Sequence, residues 1–113
     1  MNESILNTIK EMLGYTSEAV IPFEKELIMH INTAFSRLTL LGLGPKTGFS
    51  ISDSSAVWGD IIPNDMNLEN VKTFVYLKVK IIFDPPTSTA ALETMKEEIK
   101  LCEFDVQMEV DER

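Results

Sequence analysis

Residues 75–88 read VYLKVKIIFDPPTS, and whether this run is a strand or a helix decides the fold. From Val75 to Ile81, apolar Val75, Leu77, Val79 and Ile81 alternate with Tyr76, Lys78 and Lys80, the period of a half-buried strand. A wider window reverses this. Leu68, Val71, Val75, Val79 and Ile82 fall within about 80° of one another when successive residues are set about 100° apart, which makes a full helical stripe. Upstream, DMNLENV supplies Asn67 as an N-cap, Glu69 at the positive end of the helix dipole, and Met66 with Val71 at the spacing of a hydrophobic staple. A strand would need a partner for its backbone groups, and the chain has no second run of similar β character. The sequence therefore predicts a helix over roughly residues 68–83.

Pro85 and Pro86 end that helix by restricting their predecessors and withholding two amide donors, and Thr87 or Ser88 can cap the next one. The prolines thus act as a hinge between two helices. In the second, Leu92, Met95, Ile99, Cys102 and Val106 recur at steps of three and four, over too few heptads for a coiled coil. Leu101, Phe104 and Met108 form another stripe beside it, and Glu93, Glu97, Glu98, Glu103, Asp105 and Glu109 occupy much of the remainder.

Towards the amino end, Ile5, Ile9 and Met12 predict a short first helix, with Asn2 or Ser4 as cap and Gly14 as a left-handed stop. The linker YTSEAVI follows. Pro22 suits a first helical turn, and Phe23, Leu27, Ile31, Ala34, Leu38 and Leu41 mark a second helix that ends in LGLGPKTG, at Gly42 or Gly44 and Pro45. Residues 43–66 lack a sustained period and read as a long loop, part of it short helix, anchored by Phe49, Ile51, Val57, Trp58, Ile61 and Ile62. The expected fold is all-α: a small, bundle-like domain over residues 1–113, with a short N-terminal helix, two long core helices, a long loop and an acidic C-terminal helix.

A chain of 113 residues with a 44% hydrophobic share can bury a core without metal or disulfides. Its 10 Lys and Arg against 18 Asp and Glu leave a net charge of −8, which repels nucleic acid and argues against sequence-specific DNA binding. No segment approaches the roughly 20 apolar residues of a membrane span, and MNESILNTIKEMLG lacks the basic start of a secretion signal, so neither anchor nor export is expected. Cys102 is alone, which excludes an intrachain disulfide and suggests a small buried hydrophobe.

No residue pattern in the chain marks a reaction centre. GPKTG resembles a phosphate loop, but Pro45 stands where that loop needs glycine and an amide donor, and a helix precedes it rather than a strand. His30, the only histidine, sits within the second helix and reads as a solvated or partly buried neighbour of the core, and no serine has the strand-to-helix elbow that exposes a nucleophile for a triad. Glu93, Glu97 and Glu98 lie on adjacent turns without a histidine, the pattern of a solvated face. No catalytic, cofactor or metal site is expected. Trp58 reads as an anchor for the long loop or, alternatively, as a contact with a neighbouring subunit. Phe74, Leu77 and Ile81 form a second apolar face on the third helix, to be covered either by the chain's own helices or by another copy.

One resemblance is specific. ENVKTFVYLKVKIIFDPPTS, preceded by HINTAFSRLTLLGLGPKTGFSI and followed by LETMKEEIKLCEF, resembles the head-to-tail connector, or adaptor, proteins of tailed bacteriophages and prophages. The resemblance implies a non-enzymatic, all-helical subunit that forms a ring, dodecameric in the mature neck, beneath the portal protein once the head is packed. Such a ring extends the channel, lets DNA pass without sequence-specific binding, and offers a surface to the next neck or tail-completion protein. It implies a place in the virion neck, reached from the bacterial host cytoplasm, and portal docking through the C-terminal region, here Phe104, Val106, Met108 and Val110. The alternative is an acidic intracellular regulator, a DNA mimic that binds a partner's basic groove through the last helix.

Overall fold

The computed structural model of the protein describes residues 2–16, 22–63 and 66–112. Four helices follow in order: α1 (Ile5–Met12), α2 (Glu24–Leu40), α3 (Leu68–Phe83) and α4 (Thr89–Asp111). Among the described residues there is no strand, only an isolated antiparallel bridge between Ser4 and Val57. The fold is all-α.

The run that looked like a strand is the C-terminal half of α3. Asn67 caps this helix, its side chain accepting the Glu69 backbone N–H at 3.0 Å, and Met66 and Val71 of the staple are both buried. Val71, Val75 and Val79 are fully buried, whereas Ile82, in the last turn, is 54% exposed. The chain then breaks at Asp84, and Ser88 caps α4 by accepting the Ala91 N–H at 3.1 Å, so Ser88 rather than Thr87 takes the cap.

α2 packs on α3 through Leu27, Ile31, Ala34 and Leu38, all fully buried. Two expectations need correction at its start. Pro22 lies outside the helix, and Phe23 is the N-cap, 44% exposed with its ring edge-on to Phe83 rather than in the core stripe. Phe35, off the predicted stripe, is fully buried because the long loop returns over it and brings Phe49 and Trp58 edge-on to its ring.

That loop is ordered by polar contacts at its anchors. The Asn32 side chain accepts the Ile51 N–H at 2.8 Å and donates to the Ile51 carbonyl at 3.0 Å, replacing a strand neighbour for that residue. The Trp58 N–H reaches the Glu3 carbonyl, the Ile5 N–H reaches the Ala56 carbonyl, and a single 3-10 turn spans Trp58–Asp60. α1 is held against the same segment; Ser4 caps it, and Gly14 (φ 99°) closes it in the left-handed region as expected. The YTSEAVI linker falls largely outside the described residues.

α4 is the longest element; its 23 residues cover about 35 Å at 1.5 Å per residue, nearly the 37 Å maximum extent of the molecule. It runs back along α3, antiparallel to it. The shortest extent is 21 Å, about two helix diameters. α3 therefore lies between α2 and α4, and one contiguous core runs through all four helices.

Candidate functional site

α4 contributes little to the core, Val106 being its one fully buried residue, yet polar contacts lock its C-terminal half to the body. The Glu109 carboxylate accepts the Asn67 backbone N–H at 2.8 Å and the Asn70 side-chain amide at 2.7 Å, so it caps α3 from outside. The Arg37 guanidinium on α2 donates to Glu103. Gln107 donates to the Leu41 carbonyl at the end of α2, at 3.3 Å. Val110 covers Gly42, where a Cβ would stand 3.1 Å from its Cγ1.

With one face fixed in this way, the opposite face points outward. On a helical wheel, Leu101, Phe104 and Met108 lie within about 60° of each other and roughly opposite Val106. They are 64%, 61% and 45% exposed. Glu97 leads into this stripe, and Glu98, Asp105 and Glu112 flank one side of it. The result is an apolar ridge with an acidic edge on one side; on the other, Lys100 meets Glu97 at 3.5 Å.

The four residues singled out for portal docking are therefore divided. Phe104 and Met108 stand on the ridge, Val110 is half-buried over Gly42, and Val106 is sealed in the core and unavailable to a partner in this conformation. Leu101 belongs to the ridge although it was not among the four. The subunit-interface candidates divide likewise. Trp58 is fully buried, its indole N–H donating to the Thr8 hydroxyl at 3.1 Å, which is the anchor reading of this residue. Phe74 is fully buried and Leu77 is 5% exposed, whereas Ile81 is half-buried. The second face of α3 is thus covered mostly within the subunit.

Sequence patterns gave no sign that Lys10 and Lys72 are buried. Lys72 reaches Glu3 at 3.3 Å and Glu69 at 3.6 Å, and Lys10 pairs with Glu24, so both ammonium groups find carboxylates at the edge of the core. Cys102 is half-buried; desolvation, then the Asp105 and Glu98 carboxylates, push its thiol up. Among the described residues no group of three or more His, Cys, Asp or Glu is placed to hold a metal ion, and no helix is long and apolar enough to cross a membrane.

At the other end of the molecule, where α2 begins and α3 ends, there is an open hollow of about 360 Å³. Tyr15, Phe23, Phe83 and His30 line it with rings, and Glu26 and Asp84 supply carboxylates. His30 lies edge-on to Phe83, and Asp84 also meets Lys80 at 3.1 Å.

No curated protein and no solved structure matched this chain. The model of one family, described as phage connector protein, matches residues 5–113, which takes in all four helices, the ridge and the hollow. The ridge-bearing α3–α4 pair hinged at its double proline is thus part of a known structural family rather than an enzymatic one: this chain belongs to the phage connector proteins.

Proposed function

We propose that the chain is a neck protein of a tailed phage or prophage: as one domain it forms a ring under the portal, prolongs the DNA channel and joins head to tail. Family membership supports the connector role. The observation that carries the finer reading is the ridge of Leu101, Phe104 and Met108, three large apolar side chains held outward on a helix whose other face is tied down. Such a surface fits an apolar groove on a partner, and its one acidic edge fits a groove with basic residues along the matching side. We assign that groove to the portal. A net charge of −8 disfavours lasting phosphate contacts, which suits a conduit.

Interrupting the coding sequence in the phage tests this role. Heads that package DNA yet carry no tails are the expected product. Fully infectious particles would refute a neck function. Portal, protease and capsid genes immediately upstream are the expected gene neighbourhood.

A further inference from the structure

Resting on the ring reading, we propose that neighbouring subunits join head to tail by inserting Lys46 of one copy into the acidic, ring-lined hollow between α2 and α3 of the next. The two features are chemically complementary. Tyr15, Phe23, Phe83 and His30 offer ring surfaces, Glu26 and Asp84 offer carboxylates, and an ammonium between them gains both charge pairing and cation–π attraction. Among the described residues Glu26 has no cation within ion-pair distance, and Asp84 meets only Lys80, four residues away on its own helix. The hollow therefore carries a carboxylate left unanswered within the subunit.

Lys46 is presented for such a contact. It stands on a tight turn closed by the Gly48 N–H to the Pro45 carbonyl at 2.9 Å, with Gly48 at φ 96°. Gly44, Pro45, Lys46 and Thr47 are all exposed, and Lys46 makes no ion pair among the described residues. Behind the turn, Leu43 is fully buried and Gly44 packs on Ile61, so the loop is anchored at its base. GPKTG is thereby given a role that phosphate chemistry does not supply.

Position supplies the second line of support. The hollow lies at the start of α2 (Phe23, Glu26, His30), whereas the turn follows its end, and the 17 residues between cover about 25 Å. Complementary patches at opposite ends of a subunit cannot meet within it. They produce a heterologous contact, which closes into a ring when the rotation per copy divides a full turn. The ridge on α4 stays free for the portal.

The test uses the full chain with the portal of the same phage. A 1:1 mixture of ¹⁴N- and ¹⁵N-labelled protein is assembled and treated with a carbodiimide, which joins amines to carboxylates in direct contact. Mixed-isotope peptides linking Lys46 to Glu26 or Asp84 are expected. Lys46→Glu and Glu26→Lys should each lower ring yield at least about tenfold, and the double variant should recover most of it; all these sites are exposed, so thermal melts should match the parent chain. A parent ring that forms while both single variants assemble normally, or that cross-links Lys46 only to other carboxylates, overturns this contact but not the ring. A parent chain that never forms a ring overturns both.

Discussion

Glu109, in the last turns of α4, accepts the backbone N–H of Asn67, the residue that caps α3, at 2.8 Å. One carboxylate therefore joins the two ends of the hairpin that the double proline creates. The same group holds Asn70, so removing it leaves two donors unanswered. Glu109→Ala should cost about 1–2 kcal/mol in chemical unfolding, with faster amide exchange in the last two turns of α4. Unchanged exchange there would mean that α4 is held mainly by Val106.

Burial separates two apolar substitutions that look alike in sequence. Leu77→Asp places a carboxylate where 5% of the side chain is exposed and should destabilise the isolated chain by about 3–5 kcal/mol. Phe104→Asp, on the ridge, should leave the melt within about 0.5 kcal/mol of the parent and weaken portal binding by about 30-fold or more. Far-UV circular dichroism and a binding titration read the two effects separately.

Trp58 and Asn32 hold the long loop by different means. Trp58→Ala opens a cavity beneath Phe35 and should cost about 3–5 kcal/mol. Asn32→Ala leaves both backbone groups of Ile51 without partners and should cost about 1–3 kcal/mol, with proteolytic cleavage appearing first within residues 43–57.

The raised Cys102 thiol gives a pH signature. The folded state binds that proton more tightly than the unfolded chain does. The associated stability is whole below the ordinary thiol value of 9.0 and declines as pH rises from there through the raised folded value. Alkylation at pH 8 should accordingly be slower in the native chain than in urea, by more than accessibility alone accounts for, and the gap should narrow in alkaline buffer.

What sequence could show depended on how local the determinants were. The start of α3, its staple and its proline stop are encoded within a few residues, and Asn67, Met66, Val71 and Pro85 mark them correctly. Whether Phe74 and Leu77 faced a sister helix or another copy could not be read from a helical wheel, because the answer lies in where α4 returns after residue 88. Phe35 was missed because its cover, Phe49 and Trp58, comes from an aperiodic loop. The burial of Lys10 and Lys72 likewise depends on Glu24 and Glu3, remote partners that periodicity does not reveal. On α4 both stripes were visible, but which one faced the core was decided by Val106 and by the contacts of Glu103, Gln107 and Glu109.

Electron microscopy of the purified chain mixed with the portal of its own phage shows whether the subunits close into a ring there. A closed ring of this protein on the portal is expected, coaxial with its channel, with Leu101, Phe104 and Met108 of each copy against portal density. Portals that stay bare at saturating protein, while the chain remains folded and monomeric, would contradict it.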